Sequence, residues 1–120
     1  MELIVGCRCD PAFGLMLVIG LGGISAEILR DTAVALGPVD ALTAETLLLT
    51  LRGSSLLQGA RGKRPLDLAR AADFAARLSL LAAAHPELAD VEVNPLLVLP
   101  DRVMALDARL ALAANGAGGA

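Results

Sequence analysis

Val91-Glu92-Val93-Asn94-Pro95-Leu96-Leu97-Val98-Leu99-Pro100-Asp101-Arg102-Val103-Met104-Ala105-Leu106-Asp107-Ala108-Arg109-Leu110 is the most informative stretch of this 120-residue chain. Two apolar runs, 91–99 and 103–110, flank Pro100-Asp101, which is the pattern of a β-hairpin. If the loop has an even count, either Pro100-Asp101 or Leu99 to Arg102, cross-strand partners have numbers that sum to 201. Asn94 then stands opposite Asp107, and Glu92 lies on the same face opposite Arg109. An odd loop would turn Asp107 to the other face. Directly opposed residues keep their Cβ atoms about 4.5–5.5 Å apart, so a carboxylate and an amide oxygen can converge on one small cation. Mg²⁺ suits such a pair, taking one or two protein oxygens and completing its octahedron with phosphate and water. The competing interpretation is a bulge at Asn94-Pro95 on a sheet edge, with Glu92 and Arg109 an exposed pair worth under about 1 kcal/mol. Spacing alone leaves both open.

Upstream of the hairpin, Asp67 caps a predicted helix reaching about Ala84, with Leu68, Ala71, Phe74, Leu78 and Leu81 at three- and four-residue steps. His85-Pro86 stops it, and His85 is expected as a helix-end group rather than a catalyst. A second helix is predicted between about Asp40 and Arg52, with Asp40 and Thr43 as possible caps and Leu42, Leu47, Leu48, Leu49 and Leu51 following. Gly53 to Pro65 is a loop with one helical turn at Ser54 to Leu57. Within it Arg61, between glycines, could grip an anion with its planar fork or simply face water.

The first third is β-rich. Glu2 to Cys9 alternates, with Leu3, Val5, Cys7 and Cys9 on one side and Glu2, Ile4 and Arg8 on the other. Leu15 to Ile19 is apolar throughout and suits a central strand. Gly20-Leu21-Gly22-Gly23 is expected to break it, either as a tight turn or as a nest whose amides approach a phosphate. Ile24 to Leu29 and Thr32 to Leu36 read as a further strand or a bent pair, in which Glu27 either faces solvent or reaches a site. Cys7 and Cys9 are too close in sequence to staple anything and are expected as free thiols. Residues 113–120, rich in Ala and Gly, should fray. Strand blocks at both ends with helices between them indicate an α+β fold, an antiparallel sheet with helices packed on one face.

Composition narrows the function. Ten Lys and Arg against thirteen Asp and Glu, no Tyr or Trp and two Phe argue against both phosphate-tracking and base-stacking, so no nucleic-acid partner is expected. No apolar run reaches the roughly 20 residues of a membrane span and no leader is visible, so the expected location is cytoplasmic. Leu (25) and Ala (23) make up 48 of the residues. That is more apolar surface than one small core hides, and it suggests a neighbouring domain or chain, or a homodimer.

Taken in order, Asp10-Pro-Ala-Phe-Gly14, Gly20-Leu-Gly-Gly-Ile-Ser-Ala-Glu-Ile-Leu-Arg-Asp31, Leu57-Gln-Gly-Ala-Arg-Gly62, Val91-Glu-Val-Asn-Pro-Leu96 and Ala105-Leu-Asp-Ala-Arg109 carry a resemblance. The chain resembles the carboxyl-terminal half of the ATP-grasp domain in ADP-forming acyl-CoA synthetases, relatives of succinyl-CoA synthetase. The match runs over about residues 2 to 110, within one subdomain expected at 1–112. The resemblance implies that Asn94 and Asp107 hold the Mg²⁺ that bridges ATP or ADP phosphates, and that Glu92 orients a swinging phosphohistidine. By the same resemblance Gly22 and Gly23 lie near the phosphates, Glu27 faces the site, Glu2 lies near the base or ribose, and Arg61 contacts an anion. Leu15 stands where the family often has Pro.

The other ATP-grasp lobe and the CoA-binding and phosphohistidine domains are not recognisable in these residues. CoA is therefore expected only through a partner, and the isolated chain is expected to be inactive. The alternative is a non-catalytic interaction or regulatory module, as in synthetase-like regions fused to acetyltransferases.

Overall fold

The computed structural model describes residues 1–22 and 31–113. The expected strand at 24–29 and residues 114–120 of the expected frayed tail lie outside them. Strand β1 (Glu2–Asp10) follows the alternation: Leu3, Val5 and Cys7 are buried on one face while Glu2 and Arg8 are exposed on the other. Cys9 shares the inner face but lies beyond the helical cover and is exposed. The chain turns at Asp10, whose Oδ1 accepts from the amides of Ala12 (2.7 Å) and Phe13 (3.0 Å), and returns as β2 (Gly14–Leu21). Gly20 and Leu21, expected to break this strand, instead continue it, because Ile4 and Leu3 pair with them across the ladder.

Strand β3 (Thr32–Leu36) lines the far side of β2. On the other flank of β1 lies β4 (Leu88–Val98), which starts before the expected Val91. The run expected as one returning strand is split into β5 (Val103–Ala105) and β6 (Ala108–Leu112), both paired with β4. The order is β3-β2-β1-β4-β5 with β6 also on β4, and every pairing is antiparallel. The Ala113 amide, expected to fray, donates to the Glu87 carbonyl at 2.7 Å.

Helices α1 (Ala41–Thr50), α2 (Ser54–Leu57) and α3 (Leu68–Ala84) cover one face of the sheet. Asp40 caps α1 by accepting from the Thr43 amide, and Asp67 caps α3 by accepting from Arg70. The buried side of α3 is broader than the predicted stripe: Ala71, Ala72, Ala75, Ala76, Leu78, Ser79 and Ala82 are buried, whereas Leu81 is exposed. Because α3 packs against both the sheet and α1, small residues on two adjoining flanks let it approach both. Between α2 and α3, Gly59 has φ +90°, and a Cβ there would stand 2.8 Å from the Lys63 carbonyl oxygen. The Gly-Ala-Arg-Gly run is thus a tight 3₁₀ turn (Ala60–Gly62) that needs glycine at its entrance. No helix among the described residues is long and apolar enough to cross a membrane.

Among the described residues two polar side chains are buried in this core. The Ser79 hydroxyl accepts from the Val39 amide (3.0 Å) and donates to the Ala76 carbonyl (2.7 Å), tying α3 to the segment before α1. Asp31, immediately before β3, accepts from the amides of Arg52 and Gly53, both at 2.7 Å, and so joins the sheet to the entrance of α2. Replacing Asp31 by Ala orphans two amides held by a charged acceptor. Urea denaturation should show a loss of about 2–4 kcal/mol for Asp31→Ala and a smaller loss for Asp31→Asn. Burial, with a lesser effect of the Asp90 carboxylate, pushes the Cys7 thiol up to about 11 from its ordinary 9.0. A thiol-specific disulfide reagent at neutral pH should therefore label Cys9 alone, with Cys7 reacting only on unfolding.

Candidate functional site

The terminal ribbon keeps the even-loop register. Leu96, Leu97 and Val98 pair with Ala105, Met104 and Val103, and Val91, Glu92 and Val93 pair with Leu110, Arg109 and Ala108. The hairpin closes on the bond from the Leu99 amide to the Arg102 carbonyl (2.8 Å). Between these two ladders the regular pairing opens, yet the Asn94 amide donates to the Asp107 carbonyl and the Leu106 amide to the Pro95 carbonyl, each at 3.0 Å. Asn94 therefore stands opposite Asp107 despite the interruption.

A bulge is present as well, though not at a sheet edge. Leu3 pairs with Leu96 but Val5 pairs with Val93, so Asn94 and Pro95 together face Ile4 within an interior strand. Inserting one residue reverses the facing of everything beyond it. Accordingly the buried positions of β4 change from Val91 and Val93 to Leu96 and Val98. The expected bulge is thus present, though in an interior strand, and because both sides of the ribbon are irregular at the same level Asn94 and Asp107 stay opposite each other.

Glu92, Asn94 and Asp107 line one open cavity of about 190 Å³ with Ala108 and Arg109, on the sheet face away from the helices. The Asp107 carboxylate is oriented by its Oδ1 accepting from the Ala108 amide at 2.9 Å. Among the described residues the Asn94 side chain has no hydrogen-bond partner, and no cluster of three or more His, Cys, Asp and Glu could enclose a metal. One carboxylate and one amide form a hard-oxygen donor set suited to a cation that brings most of its own oxygen ligands.

An adjoining cavity of about 200 Å³ shares Glu92 and Arg109 and is completed by Gly6, Cys7, Arg8, Val18 and Asp90. Arg109 bridges the two acids of β4, its Nη2 lying 3.5 Å from Glu92 Oε1 and 3.7 Å from Asp90 Oδ2. Arg8, Gly6 and Asp90 were not singled out from the sequence. The signal was there in the alternation of Asp90 and Glu92, but a strand expected to begin at Val91 omitted Asp90.

Glu2 and Gly22 meet at the far end of β1. The Gly22 amide donates to the Glu2 carbonyl at 2.8 Å, and a Cβ on Gly22 would approach that backbone to 3.3 Å. The amide is thus already engaged, and the absence of a side chain lets Gly22 lie close against the Glu2 backbone. Glu2 projects from the open face, four residues along β1 from Gly6, the partner of Glu92. Gly23 and Glu27 lie outside the described residues. Arg61 belongs to the 3₁₀ turn, and the basic residues after it, Lys63 and Arg64, border a separate cavity of about 310 Å³ with Met1, Leu56 and Leu66. His85 follows α3 as its cap residue, with Nδ1 3.4 Å from a Glu87 carboxylate oxygen, and lines none of these cavities.

Comparison with known proteins identifies the family and the fold. Residues 1–112 match the ATP-grasp domain family. The chain is 35% identical over 111 residues to the beta subunit of acetate–CoA ligase [ADP-forming] I from Pyrococcus furiosus, covering 92% of this chain and 48% of that subunit. It is 34% identical over 111 residues to acetate–CoA ligase [ADP-forming] I from Archaeoglobus fulgidus, covering 92% of this chain but 16% of that protein. The chain thus spans about half the length, or much less, of these curated relatives. Its fold superposes with a TM-score of 0.88 and 32% identity on the dinucleotide forming acetyl-coenzyme A synthetase 1 of Ca. Korarchaeum cryptofilum, over 93% of this chain and 53% of that one. That structure holds coenzyme A and Mg-AMPPCP, with its phosphohistidine segment pointing towards the nucleotide binding site. The chain therefore belongs to the ATP-grasp domain family, in the form found in ADP-forming acyl-CoA ligases.

Proposed function

We propose that the chain is the Mg-nucleotide-binding lobe of an ADP-forming acyl-CoA synthetase, which interconverts acid, ATP and CoA with acyl-CoA, ADP and phosphate through a phosphohistidine. One observation carries this reading: Asn94 and Asp107, facing each other across the ribbon, open with Glu92 into one cavity on the uncovered sheet face. Asn94 Oδ1 and the Asp107 carboxylate would hold Mg²⁺, which, when bound, neutralises charge on the nucleotide phosphates. The bond from Ala108 fixes the Asp107 carboxylate beforehand, so little ordering is left to binding.

Glu92 would accept a hydrogen bond from one nitrogen of an imidazole presented by another domain, leaving the second nitrogen to carry the phosphoryl group. Glu2 would lie near the base or ribose. Gly22 and Gly23 would allow the phosphates to approach, Glu27 would face the site and Arg61 would contact an anion. The other ATP-grasp lobe and a CoA-binding, phosphohistidine-bearing domain or subunit would supply the rest, and CoA would bind only there. Phosphoryl transfer requires positioning and charge stabilisation from both sides of the nucleotide, so this lobe by itself would not turn over.

Calorimetry of Mg·ADP tests the assignment. Asn94→Ala and Asp107→Ala should each weaken binding about tenfold or more, with unchanged circular dichroism. Binding indifferent to both substitutions would sink the proposal. Supplied with acyl-CoA, ADP and phosphate, the 120-residue chain alone should form no ATP, and adding the two complementary domains should restore formation.

A further inference from the structure

Among the described residues Arg109 is the one cationic side chain lining the Asn94–Asp107 cavity, which the carboxylates of Glu92 and Asp107 also line. The formal charge of that lining is −1, which favours entry of a cation. A divalent ion makes it +1, a field that then attracts an anionic oxygen.

The guanidinium is held loosely. Its separations from Glu92 and Asp90 are 3.5 and 3.7 Å, against about 2.7–2.9 Å for a well-formed charge-assisted bond. Two other exposed arginines, both on α3, do close onto their partners, Arg70 on Asp67 at 2.6 Å and Arg77 on Asp73 at 2.9 Å. Arg109 differs because Asp90 and Glu92 project side by side from β4, so the guanidinium sits between two acids without settling on either. Its side chain is 70% exposed, and an exposed pair of this kind adds little stability. Gly6, opposite Glu92, adds no side chain to this face, and a Cβ there would crowd the Val91 carbonyl oxygen at 3.3 Å. The two cavities share Glu92 and Arg109, so the guanidinium borders both.

We infer that Arg109 is a phosphate-binding residue of this site, resting between Asp90 and Glu92 and turning onto a phosphoryl oxygen of a metal-bound polyphosphate. This rests on the Mg-nucleotide reading given above. Its planar fork suits a tetrahedral oxyanion, and Asp90 competes with the phosphate for it.

The roles of metal and arginine separate by sign. The 120-residue chain and its Arg109→Gln, Arg109→Lys and Asp90→Asn variants are titrated with Mn²⁺ alone, followed by electron paramagnetic resonance, and with Mg·ADP, followed by calorimetry. Arg109→Gln should weaken Mg·ADP about tenfold or more, yet bind Mn²⁺ about two- to threefold more tightly, since a repelling charge is gone. Arg109→Lys should fall between Arg109→Gln and the unaltered chain, and Asp90→Asn should tighten Mg·ADP about two- to threefold by removing the competitor. Unchanged Mg·ADP affinity in Arg109→Gln, while the unaltered chain binds both probes, overturns the inference alone. A joint fall in Mn²⁺ and Mg·ADP affinity also overturns it, because it marks Arg109 as a structural prop for Glu92. If the unaltered chain binds neither probe, the nucleotide-lobe reading fails and the inference with it.

Discussion

The ribbon formed by β4 with β5 and β6 is the constraint on which the rest depends. Its two strands are irregular at the same level, Asn94-Pro95 on one and Leu106-Asp107 on the other, and two backbone hydrogen bonds carry the register across the gap. An irregularity on one strand alone would have turned Asp107 away from Asn94, since side chains alternate with a period of two. Matched irregularities let the ribbon change which side it buries while keeping the polar pair together. The hydrophobic demand of β4 is met by Val91 and Val93 before the break and by Leu96 and Val98 after it, and the break is where polar groups can face the uncovered side at no cost to the core.

The helices behind the sheet bury its other face. The alanine-rich side of α3 lies close to β1 and β2 while also packing against α1, and Ser79 and Asp31 supply polar ties at points where loops would otherwise leave amides unpaired. With Leu3, Val5 and Cys7 of β1 and Leu17 and Ile19 of β2 buried against the helices, alternate residues, Glu2, Gly6, Arg8 and Val18, form an uncovered floor beside the cavities. A single layer of helices on a single sheet thus leaves one face uncovered, in a chain that spans about half of the Pyrococcus subunit it resembles.

Charge on this face is arranged in order along the strands. Asp90 and Glu92 alternate outward from β4, Arg109 answers them from β6 and Arg8 stands opposite Asp90 on β1. Acids and bases are close to balanced there, two carboxylates against two guanidinium groups.

Much of this was legible in the residues themselves. Alternation marked β1, Asp40 and Asp67 marked the starts of two helices, and the numbers of Glu92, Asn94, Asp107 and Arg109 were enough to pair them once an even loop was assumed. These are local regularities, set by backbone periodicity and by side chains that reach their own neighbouring amides. Other features required the folded chain: Gly20 and Leu21 as strand rather than turn, the wider buried side of α3, the role of Asp31, and the placing of Asp90 and Arg8 beside Glu92. Each depends on which distant segment lies alongside, as Leu3 does for Leu21 and the Arg52 amide for Asp31. Periodicity within a segment determined what could be buried and what could be paired, whereas only tertiary packing decided which neighbour met each residue, because contacts between remote strands and helices leave no period in the sequence of either one.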